Sequence, residues 1–180
     1  FFEQKVFSES EQDSRRRASA SSGRASSSKP QRLSEIKAST NSRIDTGITE
    51  LNRVLGGGLV PGSLSLISGE PGIGKSTLLL QTALAATDSK ILYVSGEESE
   101  EQIKMRADRV GVSSQQCFVV SETVTQRIFE HVEAVKPDLL VVDSIQTVCT
   151  ESIDSSAGSV SQIRECCNNL MGISKTNNIS

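Results

Sequence analysis

Residues 69–76 read Gly-Glu-Pro-Gly-Ile-Gly-Lys-Ser, and glycines at this spacing before a Lys-Ser pair suit the wrapping of a polyphosphate. Glycines at 69, 72 and 74 let the backbone bend round anionic oxygens with no Cβ in the way. The loop of Gly69, Glu70, Pro71, Gly72, Ile73 and Gly74 can then turn its N–H groups toward them. Lys75 offers a mobile positive charge to β- and γ-phosphate oxygens and Ser76 a hydroxyl to Mg2+. Thr77 is a neighbouring hydroxyl for packing or for the α-phosphate side. ATP and Mg2+ are the expected cofactors. A plain glycine turn before a helix accounts for the glycines but leaves Lys75 beside Ser76 unexplained.

A triphosphate site also needs an acid near the metal and a group that handles water. Leu139-Leu-Val-Val-Asp143 is an apolar run ending in a carboxylate, which makes Asp143 the candidate to hold Mg2+ together with Ser76. Gly96-Glu97-Glu98 follows another such run, Ile91 to Ser95, and a carboxylate there can orient and polarise an attacking water. Both Glu97 and Glu98 qualify by position. Acids at 98, 100 and 101 equally suit the start of a helix, where the macrodipole favours negative charge.

Buried strands must carry these residues to one place. Leu64 to Ser68, Ile91 to Ser95, Phe118 to Ser121 and Leu139 to Asp143 are near-continuous apolar runs, the pattern of parallel strands covered on both faces. Helices are expected between and after them. Lys75 to Ala86 is one, and Ser99 to Val110 another, with Ile103, Ala107 and Val110 on one face and a Ser99–Gln102 capping box. Thr125 to Lys136 shows Ile128, Val132 and Val135 behind a Thr123–Gln126 box. Val160 to Lys175 shows Ile163, Cys167 and Leu170 behind a Ser159–Gln162 box. Strands alternating with helices predict an α/β fold, a doubly wound, mostly parallel sheet flanked by helices.

Residues 1–42 differ in texture. Serine dominates, Arg15, Arg16 and Arg17 form a basic run, and large apolar residues are scarce, so a disordered Ser/Arg-rich linker is expected there, with the folded core over 43–180. The linker holds 8 Lys and Arg against 5 acids, a balance of +3 within a total of −3, which leaves −6 for the core. Such a core has no overall basic footprint, so any nucleic-acid contact must be local. Aromatic residues at 3% are too few for the stacking platforms of a dedicated single-strand-binding module. The four cysteines form no C-x-x-C pair, and small hydrophobes in or near the core is the expected reading. No apolar run reaches 18 residues and the start lacks the pattern of a signal peptide, so no membrane contact and an intracellular, cytoplasmic setting are expected.

Arg43-Ile-Asp-Thr-Gly-Ile-Thr-Glu-Leu-Asn-Arg-Val-Leu-Gly-Gly-Gly-Leu-Val-Pro-Gly-Ser63, the phosphate loop, Tyr93-Val-Ser-Gly-Glu-Glu-Ser99, Asp143-Ser-Ile-Gln-Thr147 and Gly158-Ser-Val-Ser-Gln-Ile-Arg-Glu-Cys166 together resemble the bacterial RadA (Sms) family of DNA repair ATPases. The resemblance runs from Arg43 to the end; its one departure in the first motif is Asn52, where the family pattern has Asp. It implies a RecA-like P-loop core, incomplete at its C-terminus, and a fragment lacking the family's N-terminal zinc module and C-terminal Lon-like domain, with zinc expected only in that module. It implies ATP hydrolysis coupled to single-stranded DNA binding and the processing of branched recombination intermediates, in a homo-oligomeric, hexameric ring with a recombinase partner. The setting implied is nucleoid-associated, or organellar if the source is a plant or alga. By the same resemblance Glu97 takes the water-activating role, catalytic with Lys75, and the segment from about Thr147 to Ser161 stands where RecA-like proteins place a DNA-facing loop. Two other readings share the loop and the acid: another RecA-like ATPase of the DnaB-helicase or KaiC type, or a nucleotide-binding module without turnover. The Gly56-to-Gly62 stretch favours the first family over the helicase.

Overall fold

The computed structural model describes Pro30 and residues 32–35, 43–112 and 114–180, and no helix among them is long and apolar enough to cross a membrane. The expected linker lies outside the described residues, apart from Pro30 and 32–35, where Leu33–Glu35 form a 3-10 turn. The unit Thr40–Ser180 holds every strand and α-helix among the described residues: α1 Thr49–Val54, α2 Lys75–Ala85, β1 Ile91–Ser95, α3 Glu100–Val110, β2 Cys117–Ser121, α4 Thr125–Val135, β3 Leu139–Asp143 and α5 Val160–Asn177.

The three strands form a parallel sheet in the order β2-β1-β3. Ile91 is level with Cys117 on one side and Leu139 on the other, so Ser95, Ser121 and Asp143 end together at one edge. Side chains alternate across the pleat. Ile91, Tyr93, Leu139 and Val141 share one core with Leu80, Ala83 and Leu84 of α2 and Ile103 of α3. Leu92 and Val94 face the other way, onto Ile128 and Val132 of α4 and Cys166 of α5. β1 is buried along its whole length, which is why its sequence is apolar at consecutive rather than alternate positions.

Local chemistry sets the helix ends. Ser99 and Gln102 make the expected capping box at the start of α3, and Gly111 closes that helix in the left-handed region. The box expected at Thr123 and Gln126 does not form. Val124 is the N-cap, and the Gln126 amide donates instead to Thr150 Oγ1 at 2.9 Å. At α5 only half of the expected box is present. Ser159 accepts from the Gln162 N–H, while the Gln162 side chain turns into the protein. Its buried face is accordingly Gln162, Cys166, Leu170 and Ser174, about one position off the expected face of Ile163, Cys167 and Leu170.

Leu64 to Ser68 is not a strand. A strand exists through its ladder partners, and this run has none among the described residues. The outer side of β3 is met at its start by Ser180, whose N–H donates to Asp138 O at 3.0 Å and whose carbonyl accepts from Leu140 N at 2.8 Å. Leu64 and Leu66 are left 47% and 75% exposed. The run still leads directly into the phosphate loop.

Candidate nucleotide site

The Gly-rich loop closes on α2. Gly72 and Gly74 have φ of +79° and +103°, a region that side-chain-bearing residues rarely enter, and open space lies where a Cβ would stand at either. The loop therefore leaves a bare backbone surface at the N-terminal end of a helix, where N–H groups and the macrodipole favour an anion. Among the described residues Ile73 N–H has an acceptor, Glu70 O at 3.4 Å. Lys75 Nζ donates to Gly69 O and Glu70 O, both at 2.9 Å, tying the end of the loop to its beginning. Glu70, Pro71, Ile73 and Thr77 are exposed.

Sixty-seven positions separate Ser76 from Asp143, yet Ser76 Oγ donates to Asp143 Oδ1 at 3.0 Å. The sheet register accounts for this: Asp143 ends β3 level with Ser95, and Gly96 N–H donates to Asp143 O at 3.0 Å. The other carboxylate oxygen is also engaged. Tyr93 Oη donates to Asp143 Oδ2 at 2.7 Å from a fully buried ring. Burial first, and the adjoining carboxylate second, hold that phenol well above its ordinary range, so it keeps its proton and acts as a donor.

Glu97 and Glu98 are held by one group and part from there. Ser95 Oγ accepts from both of their N–H groups, at 3.3 and 2.9 Å. The Glu98 carboxylate pairs with the Arg106 guanidinium of α3, whose side chain is 17% exposed. Glu97 is exposed and its Oε1 accepts from Ser144 Oγ at 2.9 Å, on the residue after Asp143. The phosphate loop, Asp143 and Glu97 thus meet at one edge of the sheet. Gly96 is where Thr147 comes closest: a Cβ at Gly96 would lie 2.0 Å from Thr147 Oγ1.

Hard oxygen donors of the kind Mg2+ takes are present in Ser76 and Asp143. Mg2+ sites with one protein carboxylate are completed by substrate phosphates and water, so these residues fit the ion. Among the described residues no group of three or more His, Cys, Asp or Glu could hold a metal by itself.

The segment after Asp143 is pinned rather than loose. Gln162, 2% exposed, accepts from Thr150 N–H and donates to the carbonyls of Thr150, Ile153 and Ser155. Cys149 pairs across to α4, its N–H on Thr123 O and its carbonyl on Thr125 N–H. Ser155, Ser159 and Ser161 join their hydroxyls nearby, and Arg164 stands exposed on the first turns of α5.

Sequence reasoning missed Tyr93, Ser95, Arg106, Ser144 and Gln162. Tyr93 carried a usable signal, being the one tyrosine of the chain and set in an otherwise aliphatic buried strand, where a phenol needs a partner. Ser95, Ser144 and Gln162 lay inside quoted motifs, Gln162 as half of a capping box, with no sign of these contacts, and Arg106 had no signal.

With the site described, the comparisons with known proteins have a geometry to attach to. The profile of a protein family described as an AAA domain matches residues 29–176. A DNA repair protein RadA of Listeria monocytogenes is 52% identical over 155 residues, which is 85% of this chain and 34% of the relative. The one of Bacillus subtilis is 49% identical over 166 residues, 91% of this chain and 36% of the relative. A crystal structure of the RadB recombinase superposes with a TM-score of 0.54 at 26% identity, covering 76% of this chain and 66% of that one. The chain spans about a third of the length of the RadA relatives that it matches.

Proposed function

The chain belongs to the AAA domain family, with a RecA-like α/β core, and from that premise we propose that it is the ATP-hydrolysing part of a DNA repair and recombination protein. The observation that carries this reading is the 3.0 Å contact of Ser76 with Asp143 at the foot of the Gly-rich loop, since it joins two distant motifs where a metal–triphosphate would lie. The loop N–H groups and Lys75 bind the β- and γ-phosphates. Ser76 and Asp143 hold Mg2+, which when bound offsets charge on the phosphate oxygens. Glu97, exposed and held by Ser144, orients the attacking water and takes its proton. Glu98, paired with Arg106, is positional.

The likeness to RadA and RadB supports DNA as the partner. We assign the contact with single-stranded or branched DNA to Thr147–Ser161, whose hydroxyls and N–H groups suit phosphate oxygens, with Arg164 as the neighbouring cation. A ring of identical subunits and a recombinase partner belong to the same reading.

Phosphate release by the full-length protein tests it. Turnover is expected in the parent, and Glu97→Gln should retain nucleotide affinity while slowing release by about 100-fold or more. Tight nucleotide binding with no release in the parent would make this a nucleotide-binding module without turnover.

A further inference from the structure

We infer that Tyr93 is a positioning residue for the metal site, its hydroxyl fixing the carboxylate of Asp143 so that the oxygen facing Ser76 is the one presented to Mg2+. The inference rests on the reading of this site as one for Mg2+ and nucleotide, in which Tyr93 opens the Tyr93–Ser99 motif but is given no role.

A carboxylate at the end of a strand turns freely about its last bond unless something holds it. Here each oxygen has a separate hydroxyl donor. Ser76, on the first turn of α2 and part-buried, holds Oδ1 at 3.0 Å. Tyr93, 0% exposed and inside β1, holds Oδ2 at 2.7 Å. The two anchors differ in stiffness. Tyr93 lies level with Val141 in the sheet, two residues short of Asp143 and on the same face, and it packs with Ile91, Val141 and Leu80 in the core beneath. Its hydroxyl cannot leave without moving that core. Ser76 belongs to the loop-and-helix junction that must adjust to phosphate. The rigid donor is therefore on the oxygen away from the loop, and the adaptable one is on the oxygen toward it.

Removing one partner that orients a metal ligand commonly costs 10–100-fold in metal affinity.

The test is a Mg2+ titration of the full-length protein with a fluorescent ATP analogue already bound, in the parent and in Tyr93→Phe, together with analogue binding in EDTA and a thermal melt. The expected result is a half-saturating Mg2+ concentration raised by about 10-fold, with metal-free affinity within about 2-fold of the parent. A folded Tyr93→Phe whose Mg2+ dependence matches the parent overturns the inference, even if its melting temperature has dropped, because a purely structural role predicts that pattern. No Mg2+-dependent binding in the parent overturns both the inference and the site reading beneath it. A second variant keeps ring and hydroxyl in place: with 3-fluorotyrosine at position 93, the 19F resonance should shift when Mg2+ joins the nucleotide complex, and an unmoved resonance counts against the inference equally.

Discussion

Glu97 and Glu98 are neighbours in the chain with different surroundings, and the difference is measurable. Glu98 is committed to Arg106, so Glu98→Gln should lower stability by roughly 1–2 kcal/mol, between the figures for exposed and for buried pairs, and change the single-turnover rate by less than about 10-fold. Glu97→Gln should do the reverse, leaving the melting temperature in place and lowering the rate. Equal falls in both rates, or a fall only in Glu98→Gln, would show the wrong acid was assigned to water. A second pair at this scale concerns Asn52, whose amide donates to Asp45 Oδ1 at 2.6 Å while its carbonyl oxygen accepts from Thr46. The Gly47 N–H first and the Asn52 amide second hold the Asp45 carboxyl below its ordinary value of 3.8. That contribution to stability is therefore present above this value and is lost on acidification. Asn52→Asp reverses the sign by facing two carboxylates. Its melting temperature should fall below the parent's at pH 7, and the gap should close as the pH drops through the carboxylate range. A gap independent of pH would contradict the contact.

Among the elements, the junction of α5 with the segment 148–159 gives the sharpest prediction. Gln162 was read from sequence as half of a capping box, an assignment based on near neighbours along the chain. It serves backbone groups 7 to 12 positions away, a demand that appears only once residues 150–155 have folded back onto α5. Gln162→Leu should cost roughly 3 kcal/mol, since several buried backbone groups lose their partner together, and should open 150–155 to proteolysis. Denaturant midpoints and limited digestion check both. Replacing Ser155–Ser159 with a neutral linker leaves Gln162 in place, and should weaken single-stranded DNA binding while leaving ATP affinity unchanged. Unchanged DNA affinity and salt slope would make this segment a connection only. Leu64 to Ser68 shows the opposite limit of sequence reading. Its apolar pattern is that of a buried strand, but pattern alone does not supply a neighbour with which to pair.

Over the whole molecule, what was legible in the sequence is what short-range pattern encodes. Three of the four expected strands and the main helices follow from runs and periods of apolar residues; Lys75 and Ser76 follow from the Gly-rich motif, Asp143 from its place at the end of such a run, and Glu97 is set apart from Glu98 only by the family resemblance. The supporting contacts of Tyr93 and Arg106 were hidden because they depend on register between strands and on helix placement. These are properties of the assembled sheet. The central claim, that this assembly exists to hold a metal–triphosphate, is tested most directly by equilibrium binding of a labelled ATP analogue with Mg2+ to the full-length protein and its Lys75→Ala variant. The expected result is tight binding by the parent and a loss of about 10–100-fold in the variant, the scale of a charge-assisted contact to phosphate. Unchanged affinity together with unchanged hydrolysis in Lys75→Ala would contradict it.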